Sequence, residues 1–435
     1  MEAFLREQGI GDVKKEDESM TETEQQNSSW LVQLGKVFQL GLLGIGIGLA
    51  VAVFEAVFGN VLNLMIRLHQ QHPQLWLLFL PAAGLIIIWM FENPGRKARK
   101  GINLVFEVSQ GLSLRIPKRL VALMAGSTWI SQLAGASVGR EGVAIQIGAT
   151  VSHVIGRWVP WFRDLKGAKT IFLVTGMAAG FAGLFQTPFT AVFFALEVLV
   201  AGTLKYRALP SAICASFSAW WAGSLLGMHC ETFALNVPAE FDLVQMGWKL
   251  ALLGMVFGAA GGGFARTLKW VKAHAGTKIS NPYIRTVLMS VLLAAGLMLT
   301  KGRYSNMGAD LIAAPFTGGQ VYGWDWLLKA LFTILSLAAG FTGGEVTPLF
   351  AIGSSLGFAA AGLLGVDPVL GAALGYAAVF GAGTNTWLAA MMAGMEIFGY
   401  QYFPFFFTAC SAAYLMNHND SIYALQRRYE DGREA

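Results

Sequence analysis

Five carboxylates sit where an apolar chain has little use for them: Glu55, Glu141, Glu197, Glu345 and Glu396 all lie in hydrophobic or glycine-rich surroundings. An ionised carboxylate in hydrocarbon is expensive and is retained mainly where it works. Glu141 stands in Gly139-Arg140-Glu141-Gly142-Val143, where the glycines permit a tight turn. The residues that follow begin a helix whose free N–H groups attract anions. A carboxylate there can fill an anion's place while ionised and vacate it on protonation. A plain helix N-cap, or an Arg140–Glu141 surface pair, is the competing explanation of the same residues. Gly343-Gly344-Glu345-Val346-Thr347-Pro348 opens a second such helix with backbone donors, the Thr347 hydroxyl and another carboxylate. Pro348 suits a first helical turn, where its missing N–H is no loss. Ordinary capping also accounts for Glu345, well placed at a positive dipole end. Glu197 and Glu396 each end an apolar helix, which favours bonding to backbone at a helix junction over transport. Glu55, one acid on a long apolar helix, reads as structural.

The elements that hold these acids belong to a membrane. The 435 residues are 55% hydrophobic and 13% charged, with a mean hydropathy of +0.53. That is about half the charge of a soluble domain. A single soluble core of this hydrophobicity could not cover its own surface, so the composition defines a polytopic membrane protein, expected to be all-α. Cys214, Cys230 and Cys410 lie far apart, without metal-ligand spacing; no metal or cofactor is expected. The net charge of +5 is too small to imply nucleic acid. There is no HExxH, and the six histidines are scattered, so neither Gly135–Gly139 nor Gly353–Gly357, the two GxSxG matches, has a nearby histidine base, which disfavours an intramembrane enzyme. Residues 1–29 carry eight acids and almost no apolar run, so they read as a solvated, disordered tail and not as a signal peptide.

Apolar segments recur from about residue 30 to residue 416. The clearest are Trp30 to Ile66, Leu75 to Trp89, Thr170 to Val200, Leu209 to Leu226, Leu250 to Phe264, Val287 to Leu299, Trp326 to Ala339, Leu349 to Leu364 and Phe403 to Leu415. Several are shorter than the roughly 20 residues that cross a bilayer. Short, glycine-interrupted pairs in matched halves point to broken helices ending around a binding site. The cluster Arg96, Lys97, Arg99 and Lys100 reads as cytoplasmic and predicts a cytoplasmic N-terminus. An internal repeat supports the matched halves. Ala178 to Glu197 aligns without gaps on Ala377 to Glu396, and Gly139 to Gly148 aligns on Gly344 to Gly353. The expected organisation is one transmembrane domain over 30–430, in two repeats of roughly 30–230 and 240–430.

GREGV followed by AIQIG, then GFAGLFQTPFTAVFFALEVL, then GGEVTP, resembles in order and spacing the CLC family of chloride channels and anion/proton antiporters. The resemblance covers roughly residues 30 to 430. It implies a CLC-type inverted repeat with broken and re-entrant helices around a central anion pathway, assembled as a homodimer. It makes Glu141 the gating, proton-transferring glutamate. The stretch Asn419 to Tyr423 falls where the family places its pore tyrosine, so Tyr423 is the implied hydroxyl on the anion. Residues after Tyr423 are too few for the family's cytoplasmic regulatory domains, which are expected to be absent.

The departures narrow the reading. The family's serine-bearing GSGIP turn corresponds to Gly101-Ile102-Asn103-Leu104-Val105, without a serine. Val143 replaces the proline of GREGP. GEVTP replaces G-x-F-x-P, and Val198 stands where chloride/proton antiporters often carry an internal proton glutamate. Together these resemble the fluoride-exporting CLC-F branch, although Ile102 differs from the methionine usual there. A small, strongly hydrated anion needs close, strong donors to replace its water. The resemblance thus implies fluoride/proton antiport across the plasma membrane, not enzymatic activity, with both termini cytoplasmic. Glu345 is the candidate second proton acid; Ile102, Asn103, Gly142, Val143, Val346, Thr347 and Tyr423 are candidate anion-path residues. Fluoride and other small anions, protons, membrane lipid and a second copy of the chain are the expected partners. A chloride or nitrate exchanger, or a passive channel of the same fold, is the rival.

Overall fold

The computed structural model describes residues 10–428 apart from 94, 96–99, 114, 160–166, 236 and 239–241. Arg96, Lys97 and Arg99 of the basic cluster lie outside the described residues. The first half comprises α1 (Ile10–Gln71), α2 (Pro73–Leu78), α3 (Leu80–Glu92), α4 (Ile102–Ser109), α5 (Arg119–Ala134), α6 (Glu141–Gly156), α7 (Ala168–Phe185), α8 (Pro188–Glu197) and α9 (Leu209–Leu225). The second comprises α10 (Trp248–Lys278), α11 (Pro282–Leu299), α12 (Ala309–Thr317), α13 (Asp325–Ala339), α14 (Val346–Ala361), α15 (Pro368–Thr384), α16 (Trp387–Phe398) and α17 (Phe403–Met416). Strand β1 (Val200–Ala201) pairs in parallel with β2 (Arg427–Arg428), pinning the end of the chain to the end of the first half.

One expectation is corrected. Helix α1 starts at Ile10, so residues 10–29 are helical where the sequence predicts a disordered tail. Nine of those twenty residues are Glu, Lys, Gln or Met, all good helix formers. The apolar run Leu75 to Trp89 is two helices, because Pro81 sits in the first turn of α3 and the chain turns at Phe79.

Among the described residues, five helices are long and apolar enough to span a bilayer, including Ala168–Phe185 and Val346–Leu364. Others are not. Helix α8 has 10 residues, a length of about 15 Å against a hydrocarbon core of ~30 Å. Such helices end inside the protein, where non-helical backbone is shielded from lipid.

The two halves repeat the same packing. Helix α6 lies against α7 through Gly148, Gly176 and Gly180; α14 lies against α15 through Gly353, Gly357, Gly371 and Gly375. A Cβ at Gly148 would stand 2.9 Å from the Gly180 backbone, and one at Gly375 would stand 2.9 Å from the Gly353 carbonyl carbon. Close backbone approach of this kind is how membrane helices gain contact without a hydrophobic driving force. The aligned residues Gln186 and Asn385 both adopt left-handed backbone, with φ 62° and 56°, and end α7 and α15 in the same way.

Candidate functional site

The turns before α6 and α14 meet face to face. Gly139 and Gly344 form an antiparallel bridge: the Gly139 N–H donates to the Gly344 carbonyl at 2.6 Å, and the Gly344 N–H returns a bond of 2.9 Å. Only a residue without a side chain fits there, since a Cβ at Gly139 would come within 3.0 Å of the Gly344 carbonyl oxygen. The two sequence motifs, 205 positions apart as Gly139 and Gly344, are therefore one structure.

Glu141 is completely buried at this junction. Its carboxylate does not cap its own helix alone. Oε2 accepts from the Arg140 N–H at 3.0 Å and from the Thr347 N–H at 2.9 Å, and Oε1 accepts from the Thr347 hydroxyl. The acid of the first repeat is thus docked on the N-terminus of the second repeat's broken helix. Glu345, at the N-cap of α14, makes no side-chain cap; it turns toward Lys272 of α10, 3.5 Å away. The symmetry of the two turns is broken at their acids.

Glu197 and Glu396 keep the symmetry. The N-cap residues Thr187 and Thr386 provide no side-chain cap for α8 and α16. Each helix instead receives its cap from the far end of the other. Glu197 accepts from the N–H groups of Trp387, Leu388 and Ala389 at 2.7, 3.3 and 3.2 Å. Glu396 accepts from those of Phe189 and Thr190 at 2.9 and 2.7 Å, and from the Thr190 hydroxyl. This is the backbone bonding at a helix junction that their aligned positions predict. Glu55 is fully buried, and neither of its carboxylate oxygens has a hydrogen-bond partner among the described residues.

Tyr423 is buried, with its hydroxyl unpartnered among the described residues. Its ring packs on Phe106 at 5.5 Å between centroids and edge-on to Phe194 at 6.3 Å. Ile102 and Asn103 open the short α4, half-buried, after Gly101 at φ 53°. They lie one helical turn before Phe106, on the element that carries the Tyr423 contact. Gly142 packs on Gly344, where a Cβ would touch the Gly344 Cα at 3.4 Å. Val143 and Val346 are buried; the Val143 N–H bonds the Arg140 carbonyl at 3.2 Å, so it is engaged within the turn. A cavity of about 260 Å³, lined in part by Arg140, Glu231, Thr347 and Tyr376, opens beside the docked carboxylate.

Three contributors escape the motif reading. Phe106 supplies the aromatic wall against Tyr423. Gln146 donates to the Gly142 carbonyl at 2.7 Å and keeps its own buried oxygen unpartnered. Lys329, fully buried, donates to Ser137 Oγ at 2.9 Å and to the carbonyls of Tyr304 and Asn306 at 3.2 and 2.8 Å. It anchors the segment that leads into the Gly139 turn. Its signal was legible: a single lysine in the apolar run Trp326 to Ala339.

Broken helices from two repeats, meeting at glycine turns around a docked, ionisable acid, define a multi-pass membrane protein built to move anions. Residues 83–418 match the voltage-gated chloride channel family, and the chain belongs to that family. A chloride/fluoride channel protein of Pseudomonas syringae pv. tomato is 33% identical over 398 residues, covering 89% of this chain and 86% of that protein. A CLC-type fluoride/proton antiporter of known crystal structure is 43% identical, with a TM-score of 0.86 over 90% of this chain and 98% of that one. A slow cyanobacterial chloride/proton antiporter, 20% identical, shares the fold with a TM-score of 0.76 over 89% of this chain and 96% of that one.

Proposed function

We propose that this protein exports fluoride across the plasma membrane in exchange for inward-moving protons. The observation that carries the reading is the Glu141 carboxylate seated on the Thr347 N–H and hydroxyl. While ionised, it fills the positive N-terminus of α14 and closes the path. Proton uptake removes the charge that holds it there. A fluoride ion then takes the vacated donors, which are strong and close enough to replace its water. Return of the ionised acid expels the anion and delivers the proton.

On this reading Glu345 supplies a second proton acid, held beside Lys272. Ile102, Asn103 and Tyr423 line the inner part of the path, and Gly142, Val143, Val346 and Thr347 the outer part. The absence of a serine at Gly101-Ile102-Asn103, the GEVTP turn, and 43% identity to a structure described as a fluoride/proton antiporter support fluoride over chloride. The protein works as a homodimer in membrane lipid, with both termini cytoplasmic. The test is efflux from proteoliposomes loaded with fluoride or chloride, read together with proton uptake. Fluoride flux well above chloride flux, with matching proton entry, is expected. Equal chloride flux would refute the selectivity, and fluoride flux without protons would make the protein a channel.

A further inference from the structure

A second cavity, of about 680 Å³, lies away from the pathway and shares no lining residue with it. Four cationic side chains, Arg115, Lys118, Arg157 and Lys169, stand around it, all exposed. Among the described residues no carboxylate lines it, and Arg115, Lys118 and Lys169 have no acidic partner. Its inner wall is the last turn of α6. There His153, 7% exposed, has its Nε2 buried without a hydrogen-bond partner among the described residues. The fields of Arg157, Lys169 and Arg115 converge on that imidazole. Buried Phe172 forms an apolar part of the floor, and Trp158, 77% exposed, stands at the rim. Arg115, Lys118 and Arg157 also border an adjoining cavity of about 460 Å³.

Positive charge gathered around a concave, half-open space raises the local concentration of anions there. The volume is far too large for a halide alone. Concentration of Lys and Arg marks this end of α6 as the cytoplasmic face, and basic pockets between helices on that face suit phosphate headgroups. An apolar floor and an interfacial tryptophan suit the glycerol and acyl portion of the same molecule. We propose that the cavity formed by Arg115, Lys118, His153, Arg157 and Lys169 binds a phosphate group, carried by an anionic phospholipid or by a soluble phosphate compound.

The test uses the full chain in neutral detergent, titrated with phosphatidylglycerol or with phosphatidylcholine of the same acyl chains and read by native mass spectrometry. Inorganic phosphate and ADP are titrated separately by calorimetry. Wild-type protein is expected to prefer phosphatidylglycerol at least tenfold. Each neutralised cation should weaken binding about fivefold, so Arg115→Gln, Lys118→Gln and Lys169→Gln combined should weaken it about a hundredfold. Lys249→Gln, Lys269→Gln and Lys278→Gln, an equal charge change on α10, should leave it intact. The single variants Arg115→Gln and Lys169→Gln give the same answer in smaller steps should the triple variant fail to fold. Phosphatidylglycerol preference lost only in the cavity variants establishes a lipid headgroup; binding of phosphate or ADP lost in the same variants establishes a soluble ligand. Equal binding of the two lipids with no uptake of phosphate or ADP, or equal effects of both triple variants, would overturn the proposal.

Discussion

Removing the Glu197 carboxylate should unfold the protein before it alters transport. In Glu197→Ala, the N–H groups of Trp387, Leu388 and Ala389 lose their acceptor at the start of α16, and Thr386 has no side-chain bond to replace it. Each buried donor left unsatisfied costs about 1–3 kcal/mol. The Ala389 N–H is fully buried and the other two partly so, which brings the loss to about 3–6 kcal/mol when the partly exposed pair is discounted. That is a large share of the about 5–15 kcal/mol that holds an ordinary domain folded. Glu197→Gln keeps an acceptor for Trp387 and Leu388, which share Oε1, and loses the charge and the Oε2 bond to Ala389. It should cost about 1.5–3 kcal/mol, the net value of a hydrogen bond to a charged group. The assay is thermal loss of the folded peak in size-exclusion chromatography, comparing both variants with wild type. Glu197→Ala should express poorly or melt far lower, and Glu197→Gln should fall between. Surviving Glu197→Gln protein should keep wild-type proton coupling. An unchanged melting point in Glu197→Ala would refute the capping argument, and lost coupling in folded Glu197→Gln would move Glu197 into the transport path.

Thr347→Val removes the hydroxyl on Glu141 while preserving shape and the backbone donor; loss of one hydrogen bond to a charged group, about 1.5–3 kcal/mol, should change coupled fluoride flux at least tenfold, and unchanged flux would contradict the docking role. Tyr423→Phe keeps the ring contact with Phe106 and deletes only the unpartnered hydroxyl, so the fluoride concentration for half-maximal flux should rise about tenfold; the same value as wild type would take Tyr423 off the path. The proposed homodimer sets the mass expected of the solubilised particle. Light scattering of detergent-solubilised protein should therefore give twice 46.8 kDa, and a stable monomer would refute the dimer.

The central geometry was legible because two kinds of signal coincide. Acids are conspicuous in an apolar chain, and glycines mark the turns that carry them. Together they located Gly139 to Val143 and Gly344 to Pro348 and the repeat relating them. What they could not give is which acid crosses to which helix. In the repeat Glu141 aligns on Val346 and Glu345 on Arg140, and the two acids go different ways, one docking on Thr347 and the other turning to Lys272; that choice depends on Thr347, whose aligned position is Gly142, and on Lys272, far along the chain. Phe106 was hidden because one phenylalanine among thirty carries no spacing signal. Lys329 is conspicuous as the single lysine of the apolar run Trp326 to Ala339, but nothing in the run says which carbonyls and hydroxyl it bonds. The helical start of α1 at Ile10 was missed because acidic, polar composition describes solvation and does not distinguish coil from a charged helix.

The central claim is that Glu141 exchanges a proton for an anion at the N-terminus of α14. Glu141→Gln tests it most directly, because glutamine keeps the shape of the side chain but cannot take up or release a proton. Folded, dimeric variant protein is reconstituted into liposomes, and proton movement is recorded under a fluoride gradient. The account predicts that fluoride-driven proton movement vanishes whether or not fluoride itself still passes. Full proton coupling in Glu141→Gln would contradict it.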